Sequence, residues 1–237
     1  MRIRCVIAAL LYCAALFLAP GAHAQPYPEA RYWYFGDRAG ANFNPATPVS
    51  VNNGVMQAPA GCAVIGDAEG ALLFFSNGRR VWNADREVLP NGFGLNGDSL
   101  ATQSALFVHH PDTPDRYYLF TLDQTNGPNG LQYSIIDKTK EGGLGDVVEK
   151  NKPLRTGLCD KLSAVRHRDG RDVWVLAHGF GSNAFYAWRV TANGVSETPV
   201  ETFIGASHDL AQGTGQLKCA PTGAFVATAG ADLQGPF

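Results

Sequence analysis

Short apolar runs alternate with clusters of glycine, asparagine, aspartate and proline along this chain, and no internal stretch sustains a 3.6-residue apolar period. That pattern excludes helices as the main element and predicts many short strands joined by tight turns. The clearest unit begins at Cys62-Ala63-Val64-Ile65 and turns at Gly66-Asp67-Ala68-Glu69-Gly70. It continues as Ala71-Leu72-Leu73-Phe74-Phe75, turns at Ser76-Asn77-Gly78, and closes with Arg79-Arg80-Val81-Trp82-Asn83. Tight turns join only antiparallel neighbours, so these runs predict a meander.

The unit recurs. Ser104-Ala105-Leu106-Phe107-Val108 precedes a turn holding Pro111, Asp112, Pro114 and Asp115, then Arg116-Tyr117-Tyr118-Leu119-Phe120-Thr121 and Leu131-Gln132-Tyr133-Ser134-Ile135-Ile136. A third copy runs through Leu162-Ser163-Ala164-Val165, Asp172-Val173-Trp174-Val175-Leu176 and Ala184-Phe185-Tyr186-Ala187-Trp188-Arg189-Val190. A fourth opens at Gly215-Gln216-Leu217-Lys218 and continues at Ala224-Phe225-Val226-Ala227-Thr228. The copies are spaced by roughly 40 to 60 residues, as in propeller blades with variable loops. A β-sandwich also uses short strands and turns, but recurrence of one strand–acidic turn–aromatic strand unit favours the propeller.

The expected fold is therefore all-β, a β-propeller of four-stranded meander blades with about four to five blades present, and a ring left incomplete. The stretch from Tyr32 to Asn53, with Trp33-Tyr34-Phe35, is expected either to form the first blade or to complete the last one.

The first residues read as a leader. Arg2 and Arg4 precede an apolar run from Cys5 to about Leu18, Pro20 and Gly21 break it, and Ala22-His23-Ala24 supplies a small-x-small cleavage pattern. The expected organisation is a signal peptide at 1–24 and a propeller at 25–237, with export to the periplasm, the outer-membrane surface or the medium. The run is too short to span a bilayer, which takes about 20 residues. Removing Arg2 and Arg4 from 19 basic residues leaves 17 against 21 acidic ones. A chain of this balance, with no local basic cluster, has no electrostatic reason to seek nucleic acid.

Three cysteines remain beyond the leader: Cys62, Cys159 and Cys219. Their spacing matches no metal-ligand motif. At most one disulfide can form among them, and both that pairing and small buried thiols in strands stay open.

The matching segments Trp33-Tyr34-Phe35-Gly36, Gly61-Cys62-Ala63, Val81-Trp82-Asn83 and Ala101-Thr102-Gln103-Ser104 resemble a known family. Tyr117-Tyr118-Leu119-Phe120-Thr121, Gly142-Gly143-Leu144-Gly145-Asp146-Val147, His178-Gly179 and Ser182-Asn183-Ala184-Phe185-Tyr186-Ala187 extend the likeness. The family is the N-terminal propeller-like region of Bacteroidetes surface proteins associated with gliding motility, PKD modules and type IX secretion. Its members continue into immunoglobulin-like modules and a sorting domain, which implies that this chain is a fragment. The resemblance implies adhesion, scaffolding or binding of a protein or glycan at the envelope, and brings no catalytic residues.

Carboxylates recur at the turns: Asp67, Glu69, Asp112, Asp115, Asp123, Asp137, Asp146, Asp169 and Asp209. Aspartate suits turns because its side chain bonds nearby backbone amides. A propeller glycoside hydrolase or lyase, the catalytic alternative, needs two carboxylates facing one cleft. His109-His110 is expected in a solvated turn, and His178 and His208 in structural hydrogen bonds. Asp123 with Gln124, Asn126 and Asn129 offers oxygen ligands for calcium without an EF-hand spacing. Catalytic, cofactor and metal residues are accordingly predicted as none, and a non-functional gene remnant is the third reading.

Overall fold

The computed structural model describes residues 28–231, so the expected leader and its cleavage point lie outside the described residues. The chain folds as successive antiparallel sheets, each built from one continuous stretch of sequence. Sheet one holds β1 (Tyr32–Asp37), β2 (Ala39–Asn42), β3 (Val49–Val51) and β4 (Gln57–Ala58), in the order β3-β2-β1-β4. Sheet two is a meander of β5 (Ala63–Gly66), β6 (Leu72–Ser76), β7 (Arg80–Trp82) and β8 (Val88–Phe93). Sheet three repeats it with β9 (Ala105–His109), β10 (Arg116–Leu122), β11 (Leu131–Asp137) and β12 (Asp146–Arg155).

Sheet four runs β13 (Leu158–Arg166), β14 (Val173–Gly179), β15 (Ser182–Thr191), with β16 (Gly194–Val195) and β17 (Val200–His208) both paired to β15. The short helix α1 (Leu210–Gly213), capped by Asp209, leads into a two-stranded sheet of β18 (Gly215–Cys219) and β19 (Val226–Gly230). No helix among the described residues is long and apolar enough to cross a membrane.

The all-β expectation holds, and the apolar runs of the three complete copies fall in strands. The segment from Tyr32 resolves into a sheet of its own, together with β4. Sequence reading underestimated the outer strands β8, β12 and β17. These strands are mostly exposed and carry breakers or charges: Pro90 and Gly92 in β8, and Glu149, Lys150, Lys152 and Pro153 in β12. Outer strands need only one paired edge, and proline and charge there discourage further pairing.

The core is divided among the gaps between consecutive sheets. Tyr34, Met56, Phe75 and Trp82 pack between sheets one and two. Phe74, Leu89, Tyr117 and Leu119 pack between two and three, and Phe120, Leu131, Val175 and Trp188 between three and four. β10 shows the cause in its sequence: Tyr117 and Leu119 face one gap, Tyr118, Phe120 and Leu122 the other. A strand buried on both faces reads as an unbroken apolar run, because alternate residues enter different cores.

The first strands of the sheets touch in succession, β1 on β5, β5 on β9, β9 on β13 and β13 on β18. A polar seam fastens them. Gly61 N–H donates to Ala101 O at 2.9 Å, and Ser104 Oγ donates to Gly61 O at 2.7 Å. A Cβ at Gly61 would lie 2.4 Å from Ser104 N, so only glycine permits this approach. Thr102 N–H donates to Asp160 Oδ2, and Thr102 Oγ1 donates to Gly215 O. Gln103 Oε1 accepts from Leu162 N–H and Leu217 N–H, while its Nε2 donates to Leu217 O. The segment Ala101-Thr102-Gln103-Ser104 thus joins sheets two, four and five to the edge of sheet three.

Candidate functional site

Four of these first strands, β5, β9, β13 and β18, line an open cavity of about 790 Å³. Gln103, Leu106, Gln216, Arg166 and Lys218 line it, and Glu29 is the one carboxylate among its described lining residues. The predicted turn carboxylates lie elsewhere, and most of them accept backbone N–H groups. Asp67 accepts from Glu69 and Ala71 N–H, Asp137 from Thr139, Asp146 from Asn91 and Val147, and Asp209 from Ala211. Asp112 is exposed and pairs with Arg171 at 3.0 Å. Asp169 accepts from Arg171 and Asp172 N–H, and these bonds hold its carboxyl well below the ordinary carboxylate range.

The calcium candidate resolves into a self-capped loop. The two oxygens of Asp123 accept the N–H groups of Gln124 and Asn129 at 2.8 and 3.0 Å. Gly127 closes over that carboxylate, leaving no room for a Cβ. Asp123→Ala is expected to cost about 1 kcal/mol by removing two part-buried hydrogen bonds to backbone, read from a urea denaturation midpoint. Added calcium should leave the wild-type melting temperature unchanged.

His110 departs from the solvated turn predicted for it. It is buried, stacks on Tyr118, and its Nδ1 accepts from Asp112 and Thr113 N–H at 3.2 and 3.0 Å. Burial, then Arg116, lowers its pKa and so keeps it neutral for that role. His109 packs edge-on against Tyr117.

The densest chemistry lies where sheet four meets β18–β19. β13 bulges there: Leu158 pairs with Gly179 and Leu162 with Ala177, so three residues of β13 lie opposite one of β14. The bulge breaks the alternation of faces and buries Cys159, Asp160 and Lys161 together. β17 bulges as well, between the pairs Ala184–Phe203 and Ser182–His208, with Gly205 at φ 77°. Cys159, His178 and His208 consequently meet, with Sγ and one ring nitrogen of each histidine within 4.8 Å of one another. The three cysteines are free thiols, which answers the disulfide question left open by the sequence.

Cys159 Sγ lies 3.8 Å from His178 Nδ1 and 3.4 Å from Gly179 O. Because Gly179 O accepts from His178 Nδ1 at 2.9 Å, that nitrogen carries the proton, and the buried Nε2 has no partner. The two imidazoles stack with centroids 4.0 Å apart. Lys161 Nζ sits 3.1 Å from His208 Nδ1 and also donates to Gln212 O and Thr228 Oγ1. The carboxylate of its neighbour Asp160 is engaged elsewhere, by Thr102 and Thr125. Burial pushes the Cys159 thiol up to about 11 and lowers Lys161 and both histidines, His208 to about 4. This thiol is no ready nucleophile.

The cluster forms one end of an apolar groove of about 500 Å³ lined by Phe185, Val200, Ile204, Phe225 and Val226. His178 and His208 line it too, so the groove reaches the cluster. Both histidines make the structural hydrogen bonds expected of them, His178 with Gly179 O and His208 with Lys161. Cys159, His178 and His208 come from three strands far apart in sequence, and no local spacing announces them. One signal was present: Asp160-Lys161 interrupts an apolar strand.

Compared with protein-family models, curated proteins and solved structures, the chain has no significant match.

Proposed function

We propose that the chain is a non-catalytic β-propeller module, exported, that binds a protein or glycan at the bacterial envelope or surface. The observation that carries this reading is the use of the carboxylates. Most of them cap turns, while the cavity lined by β5, β9, β13 and β18 offers Glu29 together with Arg166 and Lys218 instead of a facing acid pair. Two-carboxylate glycoside hydrolysis needs both groups across one scissile bond. Consecutive meanders whose first strands touch in succession, four of them lining one cavity, support the propeller arrangement. The resemblance to Bacteroidetes surface-protein propellers points to the same class of role.

An exposed aromatic face supplies the contact surface in this reading. Trp33, Phe35 and Phe43 stand out from sheet one, with Trp33 54% exposed and its ring 5.0 Å from that of Phe43. Clustered exposed apolar side chains mark interaction surfaces, and aromatic anchors dominate binding energy. The test is co-sedimentation of residues 25–237 with purified peptidoglycan and with outer-membrane fragments, alongside a reducing-sugar assay. Retention on one of the two, weakened at least about tenfold by combined Trp33→Ala and Phe35→Ala, is the expected result. Release of reducing ends, or retention that ignores the double substitution, overturns the reading.

A further inference from the structure

The cluster behind the groove has a composition that neither turn capping nor glycan binding explains. We propose that Cys159, His178 and His208 form a binding site for a thiophilic divalent cation, with zinc(II) as the fitting ion and its fourth position open to the groove. This inference does not depend on the proposed function.

One thiol and two imidazoles are the donor types that suit zinc, and three protein ligands plus one exchangeable position is the open form of its tetrahedral site. The donors are already gathered within 4.8 Å and excluded from water, so little chain entropy remains to be lost on binding. The backbone carbonyl of Gly179 fixes one tautomer of His178, the kind of outer contact that orients a ligating histidine. The unpartnered His178 Nε2 is a buried acceptor, an arrangement that costs free energy unless something occupies it. An ion would also displace the Cys159 proton to solvent, giving one thiolate and two neutral imidazoles, as coordination of a thiol does.

Binding requires one rearrangement. Stacked rings cannot both direct in-plane lone pairs at one ion, so one imidazole must turn out of the stack. His208 is placed to do so, since it ends the bulged β17 and borders the groove. Lys161 sets the limit on affinity, because its amine stands 3.1 Å from the His208 ring.

The experiment is a cobalt(II) titration of reduced, chelator-dialysed residues 25–237, followed by zinc competition. The expected result is one cobalt per chain, a near-ultraviolet thiolate-to-cobalt band, visible bands of tetrahedral intensity, and displacement by zinc. Cys159→Ser should remove the charge-transfer band, and His208→Asn should weaken binding by more than the roughly hundredfold that losing an outer contact to a ligand costs at most. Cys62→Ser should change nothing. Lys161→Met should tighten binding, a result that a purely structural lysine would not give. If a variant fails to fold, zinc-edge X-ray absorption on the wild type decides, with one sulfur and two imidazole nitrogens expected. No cobalt band, a band that survives Cys159→Ser, or a sulfur-free zinc shell overturns the proposal.

Discussion

Gln103→Leu is expected to lower the unfolding free energy by about 4 kcal/mol, although leucine fills nearly the same space. The side chain of Gln103 supplies one acceptor to two backbone donors, Leu162 N–H at 3.1 Å and Leu217 N–H at 2.6 Å, and one donor to Leu217 O. Leucine leaves all three groups between sheets without partners, and each such group costs about 1–3 kcal/mol. The loss should fall hardest on β18–β19, which has only one strand partner within its own sheet. Urea denaturation measures the total, and limited proteolysis should show cleavage moving into the last two strands. Gln103→Glu keeps the acceptor and should lose roughly half as much. A leucine variant within about 1 kcal/mol of wild type would mean the seam is not where the sheets are fastened.

Trp188→Ala should cost about 3–5 kcal/mol, the range for a large aromatic removed from a packed interior. Trp188 is fully buried between sheets three and four, among Phe120, Leu131, Val175 and Val190. Its indole N–H has no acceptor there. That orphan donor makes a second outcome specific: Trp188→Phe should lose much less, because the lost volume is partly offset by relief of an unsatisfied polar group. Phe203→Ala, on the exposed outer strand β17, should stay within about 0.5 kcal/mol. Chemical denaturation of the three variants at one pH tests the ordering. Equal losses for alanine and phenylalanine at position 188 would show that the indole nitrogen is satisfied in solution.

The sequence was most legible where a residue's neighbours lie close along the chain. Gly66-Asp67-Ala68-Glu69-Gly70 predicted its turn because Asp67 bonds backbone amides two and four residues on. The run Tyr117-Tyr118-Leu119-Phe120 predicted a strand, and the structure sends its alternate residues into two cores. β12 was harder to see, since an outer strand with Glu149, Lys150, Lys152 and Pro153 looks like a loop until β11 is found beside it. His110 was misread because a histidine next to proline and aspartate suggests solvent, whereas Tyr118 covers it.

The sequence by itself determined the class of structure, the places of the turns and the employment of most aspartates, because short-range hydrogen bonds and strand periodicity are local. Tertiary structure alone decided the rest. Gln103 fastens sheets more than a hundred residues apart in sequence through a contact with Leu217. Bulges in β13 and β17 gather Cys159, His178 and His208 beside Lys161. Bulges displace residues from the regular face alternation, so no pattern read along one strand shows which side chains will converge across several.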